Sequence, residues 1–139
     1  MAQSPKMIVR IAAAASFGAF PMIVVARPSI AQSAASSADV AAGQALYQSR
    51  CAGCHSVDAD RIGPRHRDVV GRAVASVPTY SYSSALKKLG GTWTPARLDQ
   101  WLSGTQKMAP GSKMYLQMDD PSQRGLIIAY LQSVSTSKK

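Results

Sequence analysis

Two thiols and an imidazole stand within five residues, in the run Cys51-Ala52-Gly53-Cys54-His55. Residues three and four apart on one helical turn project from about the same side. Both thiols can therefore add across the two vinyl groups of a single haem, with the imidazole beneath its iron. The run reads as the attachment site of a covalently bound haem c. Two other chemistries use similar residues. A redox disulfide of this spacing accompanies a βαβ pattern, and no strand-helix alternation occurs in this chain. A structural zinc site needs four ligands, and the chain offers Cys51, Cys54, His55 and His66 at unsuitable spacing.

Haem iron has a second axial position to be filled or left open. His66 is the only other histidine, and it follows His55 closely with the Gly63-Pro64 turn between them. Reaching the opposite haem face from there is awkward. Methionine is the other common partner, and His/Met ligation raises the reduction potential. Met108, Met114 and Met118 are the candidates, although a methionine more often fills core space. Met114 stands out because Pro110-Gly111-Ser112-Lys113 precedes it, a turn able to hold a loop against a haem face.

The elements that must position these groups read as short helices and long loops. A first helix is expected from Asp39, as N-cap, to about Cys51, with Val40, Gly43, Leu46 and Tyr47 at helical spacing. A glycine inside a helix costs about 1 kcal/mol against alanine, so Gly43 suggests close packing. Residues 56–83 are rich in turn formers. Ser83 caps a short second helix that Gly90-Gly91 stops after Leu89. Thr94 and Pro95 open a third, with Leu98, Trp101 and Leu102 on one face and Gly104 at its end. Residues 108–118 look irregular, broken by Pro110-Gly111. Asp120-Pro121 opens the last helix, where Gln123 completes a capping-box-like start and Ile127, Tyr130, Leu131 and Val134 form the apolar face. The fold class is all-α. A core of about 100 residues is marginal alone, so a buried haem would be core as well as cofactor.

Residues 1–31 have a different character. Lys6 and Arg10 precede the apolar residues 11–20 and 22–26, and Ser29-Ile30-Ala31 supplies small residues at cleavage spacing. This is the pattern of a secretory signal peptide. Pro21 and Arg27 interrupt it, leaving too short a stretch for a membrane span. Residues 32–38 read as a flexible leader and 39–139 as the haem domain. Export agrees with the haem motif, and a periplasmic location is expected. The full chain carries 16 basic and 7 acidic residues for a charge of +9. Cleavage after Ala31 removes three cations and no acid, which leaves +6. A basic balance suits acidic protein surfaces, membranes or nucleic acid. Scattered cations on an exported chain make nucleic acid the least favoured, so no nucleic-acid partner is expected.

Several motifs, in order, carry a resemblance: Cys51 to His55, Gly63-Pro64, Val70-Gly71-Arg72, Tyr80-Ser81-Tyr82, Gly91-Thr92-Trp93, Pro110 to Met114 and Ile128 to Leu131. From about Asp39 to Val134 the chain resembles the class I c-type cytochromes, which include bacterial cytochrome c2 and soluble mitochondrial cytochrome c. The resemblance implies their fold, with short helices and long loops wrapped around one haem c held through Cys51 and Cys54. It implies His55 and Met114 as iron ligands and Pro64 as the carbonyl that accepts the proximal imidazole N–H. Tyr82, Trp93 and Arg72 fall where that family holds a haem propionate, and Gly43 and Tyr47 where its first helix meets the last. The implied function is one-electron transfer as a soluble monomer, between a reductase and an oxidase or dehydrogenase. No nucleophile–base constellation is present and no catalytic residue is assigned. A ligand-binding or peroxidase-like protein and a haem subunit of a larger dehydrogenase are the alternatives. The chain departs from the family at His66, which takes the place of a leucine and is expected to reach solvent. Lys107 and Lys113 match the family's basic ring, while Asp119 and Asp120 weaken the field beside it.

Overall fold

Ser36 and Asp39 exchange hydrogen bonds at the start of the first helix. The Asp39 amide donates to Ser36 Oγ at 3.1 Å, and the Ser36 amide donates to Asp39 Oδ2 at 3.1 Å. This capping box starts α1 at Ser37, and the helix runs over Ser37–Arg50. Asp39 is thus the third helical residue, not the N-cap expected from the sequence. Residues 36–38, read as leader, form the cap and first turn. The structure is a computed structural model and describes residue 1 and residues 35–135. The signal peptide expected over 1–31 and the first residues of the leader lie outside the described residues.

The other caps follow local chemistry. Ser83 Oγ accepts from the Leu86 amide to start α2 (Ser84–Leu89), and Gly90 stops it at a φ of 53° that suits glycine. Thr94 Oγ1 accepts from the Arg97 amide to start α3 (Pro95–Ser103). A single turn not expected from the sequence, α4 (Thr105–Met108), follows, and it ends where the stretch expected to be irregular begins. Asp120 starts α5 (Pro121–Ser133) by accepting from the amides of Ser122 and Gln123, so Gln123 contributes through its backbone.

The core forms where α1 meets α5, with α3 packed on α5 and on α4. Gly43 explains the close approach, since a Cβ there would lie 2.0 Å from the Leu126 carbonyl oxygen. One turn on, Tyr47 meets Tyr130 with ring centroids 5.1 Å apart, beside the fully buried Ile127. The described residues hold no strand, only an isolated antiparallel bridge between Ala73 and Thr92. Around it the Gly71 amide donates to Trp93 O at 2.8 Å and the Trp93 amide to Arg72 O at 2.9 Å. Those two bonds draw Arg72 and Trp93, distant in sequence, to one place. Among the described residues no helix is long and apolar enough to cross a membrane.

Candidate haem site

The turn after α1 carries the two thiols and the imidazole. Cys51 caps the helix by donating its amide to Tyr47 O at 2.8 Å, and the amides of Cys54 and His55 return to Cys51 O at 3.1 and 2.9 Å. Cys51 is buried and Cys54 exposed, and both are free. Burial pushes the Cys51 thiol up to about 11, with the charge of Cys54 adding to the effect.

His55 Nδ1 stands 2.8 Å from Pro64 O. A carbonyl can only accept, so Nδ1 carries the proton and Nε2 keeps a free lone pair. Burial pulls the His55 pKa down and the Pro64 carbonyl pulls part of it back. A neutral imidazole with a free Nε2 is the form that a metal binds. Gly63 is needed beside it, because a Cβ there would sit 2.1 Å from His55 Cε1.

His66, expected to reach solvent, is half-buried and turned inward instead. Its ring stacks on His55 with centroids 4.1 Å apart and planes 19° from parallel, and its Nδ1 lies 3.1 Å from the Tyr47 hydroxyl. Two backbone bonds draw the loop inward: the His66 amide donates to Ser56 O at 3.0 Å and the Arg67 amide to Val57 O at 2.7 Å. Burial, then the neighbouring His55 and Arg72, holds the His66 pKa well below the ordinary histidine value. An imidazole thus occupies a place that the sequence comparison reserved for an apolar side chain.

A cavity of about 390 Å³ gathers the predicted site residues: Cys51, Cys54, His55, Pro64, Arg72, Tyr82, Trp93 and Met114 all line it. Of the three candidate methionines, Met114 alone is a lining residue. Met118 is buried in the core and Met108 packs against that core. Arg72 reaches under the 65–67 loop, donating Nη1 to Arg67 O and Nη2 to Arg65 O, each at 2.9 Å. Its Nε is buried with no hydrogen-bond partner, one of two such side-chain atoms among the described residues. An unpaired donor on a cation beside an apolar cavity is costly unless an acceptor arrives. Burial raises the Tyr82 pKa, with the Val77 backbone and the Arg72 charge opposing it.

These residues fit haem c. The thiols can form the two thioethers, His55 Nε2 and the Met114 sulfur would be iron ligands of the usual kinds, and Arg72 Nε lacks the anion that a propionate would bring. Sequence reasoning missed Tyr47 as the partner of His66. It also missed Thr105, Gln106 and Ser112, whose side chains bond to Met114 O at 2.6, 2.8 and 3.2 Å. No spacing signal marks Thr105 and Gln106, since α4 is a single turn, whereas Ser112 stands in the Pro110 to Lys113 turn that singled out Met114.

The family Cytochrome c matches residues 40–135. Cytochrome c2 of Agrobacterium tumefaciens (strain II Chrys) is 38% identical, over 72% of this chain and 96% of that protein. A cytochrome c-type cyt cy of Rhodobacter capsulatus is 37% identical over 69% of this chain, which spans 49% of that longer relative. Among solved structures, cytochrome cH from Methylobacterium extorquens superimposes with a TM-score of 0.65 at 39% identity, over 68% of this chain and 98% of that one.

Proposed function

The chain belongs to the cytochrome c family, and on that premise we propose that it is an exported, soluble, monomeric carrier of single electrons with His55 and Met114 on the haem iron. The observation that carries this reading is the shared cavity: His55, both cysteines and Met114 line it, whereas Met108 and Met118 do not. Haem c, held through Cys51 and Cys54, supplies the ferric–ferrous couple. The chain's own residues fix its surroundings. Pro64 O holds the imidazole in one tautomer and orientation. Arg72, with Tyr82 and Trp93 beside it, offers an unpaired donor for propionate charge. Buried apolar side chains such as Leu98, Trp101 and Ile127 line the same cavity and exclude water. None of these groups needs to move a proton or break a bond during transfer.

Residues 1–31 direct the chain to the periplasm, where a reductase supplies the electron and an oxidase or dehydrogenase exchanges it. The likeness to a cytochrome c2 supports this placement. The net positive charge favours encounters with acidic partner surfaces at low salt. The test is the ferrous spectrum with and without carbon monoxide. Native protein should bind the gas slowly or not at all. Met114→Ala should bind it rapidly and show a lower potential, while Met108→Leu and Met118→Leu behave as native. Rapid binding by native protein would refute six-coordinate ligation, and a native-like spectrum in Met114→Ala would show that another residue is the ligand.

A further inference from the structure

The loop that carries Met114 hangs from one helical turn by side-chain bonds. Met114 O accepts from three donors: Thr105 Oγ1 at 2.6 Å, Gln106 Nε2 at 2.8 Å and Ser112 Oγ at 3.2 Å. Gln106 reaches across the turn with both ends of its amide. Its Nε2 also lies 3.0 Å from Ser112 O and 2.9 Å from Ser112 Oγ, and its Oε1 accepts from the Gly111 amide at 3.0 Å. Thr105 Oγ1 accepts from the Leu116 amide at 3.1 Å while the Thr105 amide donates to Leu116 O at 3.1 Å. The loop is thus tied at residues 111, 112, 114 and 116 to two consecutive residues of α4. Thr105 is fully buried and Ser112 nearly so, which makes these bonds costly to break. The α4 turn itself packs on α3.

We propose that Thr105, Gln106 and Ser112 form a polar clamp that keeps the Met114 thioether on the iron, as positioning residues for the axial bond. The proposal rests on the reading that Met114 is the ligand. An incoming ligand must displace the thioether, and room for that exchange comes when the loop swings away from the cavity. With the backbone pinned on both sides of residue 114, the loop must first detach from α4. The clamp therefore sets how often the iron opens, and it separates an electron carrier from a ligand-binding protein built on the same fold.

The test uses ferric holoprotein and imidazole as the incoming ligand, at imidazole concentrations where loop opening limits the rate. Thr105→Val keeps the shape and removes the hydroxyl; Thr105→Ser keeps the hydroxyl. Gln106→Leu removes the amide at a partly exposed position and decides the matter should Thr105→Val not fold. Each hydrogen bond is worth about fivefold in a local equilibrium, so losing two should raise the opening-limited rate about 25-fold, or about 2 kcal/mol. Thr105→Ser should stay within about twofold of native. Ile128→Val, a core truncation away from the loop, should lower the melting temperature without changing the rate, which separates positioning from general destabilisation. The iron–sulfur charge-transfer band in the far red reports the axial bond directly. If native protein shows that band and both Thr105→Val and Gln106→Leu bind imidazole at the native rate, the clamp is wrong while the ligand reading stands. If native protein lacks the band, the ligand reading falls and the clamp with it.

Discussion

Gly63→Ala should damage the proximal side of the site, and the size of the effect follows from three distances. A Cβ at residue 63 would lie 2.1 Å from His55 Cε1, 2.5 Å from Nδ1 and 2.6 Å from Nε2. Non-bonded carbons rest at about 3.5–4.0 Å, so the imidazole would have to retreat by at least about 1.4 Å. That is large against a 2.8 Å bond to Pro64 O, since such bonds weaken beyond about 3.2 Å. The stacked His66 ring, 4.1 Å away, restricts where the imidazole can go. Overpacking of this kind costs about 1–3 kcal/mol and the lost hydrogen bond about 1 more, for a total of about 2–4 kcal/mol. On a domain of this size that lowers the melting temperature by at least about 8 °C. Gly53→Ala is the control, because nothing lies within 4 Å of a Cβ there although it sits between the two cysteines. The assay is guanidinium unfolding of both holoproteins, with the reduction potential as a second reading. Gly63→Ala should be the less stable and shifted in potential, and Gly53→Ala native-like in both. Equal stability and equal potential in the two variants would refute the packing argument.

Gly43→Ala should cost about 2 kcal/mol or more in denaturant unfolding: a Cβ 2.0 Å from Leu126 O forces α1 and α5 apart, and the gain in helix propensity, about 1 kcal/mol, does not offset it. His66→Leu should destabilise by about 1–2 kcal/mol because it strands the buried Tyr47 hydroxyl, and adding Tyr47→Phe should recover most of that; strictly additive effects in this double-mutant cycle would show that the 3.1 Å contact carries no coupling. Asp60 should contribute to acid sensitivity, since the Thr79 hydroxyl and then the Arg65 amide hold its pKa below 3.8 in the folded chain. A depressed carboxylate stabilises above its unfolded value and loses that contribution as pH falls, so the melting-temperature gap between native protein and Asp60→Asn should close below about pH 4; a constant gap would remove Asp60 from the account.

Features set by neighbouring residues were legible in the sequence. Ser83, Thr94 and Asp120 cap the helices they were expected to cap, because a side-chain oxygen reaching an amide two or three residues on needs nothing from the rest of the chain. Gly43 was legible for a related reason: a glycine inside a strong helical pattern calls for a neighbour that touches its Cα. The start of α1 was misplaced because a capping box contains two cap-like residues, Ser36 and Asp39, and only the geometry says which is outside the helix. His66 was misread because its stacking partner and its hydroxyl partner come from elements that the sequence does not place beside it. Thr105 and Gln106 left no signal at all, since a single helical turn has no period.

The two sides of the site are secured in different ways. On the proximal side, Cys51, Cys54 and His55 share one turn after α1, and Gly63 and Pro64 close over the imidazole through the 2.8 Å bond between the Gly63 amide and Cys54 O. Little conformational entropy is spent there, because the groups are near neighbours and α1 is already anchored on α5. On the distal side, Met114 comes from the far end of the chain and is held by hydrogen bonds to α4 and by Lys113 Nζ, which donates to Ser81 O at 2.7 Å. Several polar ties of modest individual strength replace one covalent anchor. An electron carrier gains from few changes in geometry between its two oxidation states, so both sides must be stiff. The chain meets that need with packing on one side and a hydrogen-bonded loop on the other. On the proposed ligation by Met114, stiffness on the distal side would depend on the polar residues beneath the loop as much as on the methionine. A chain that kept Met114 but lost Thr105 and Gln106 would keep both proposed ligands and loosen the distal one's hold on the iron.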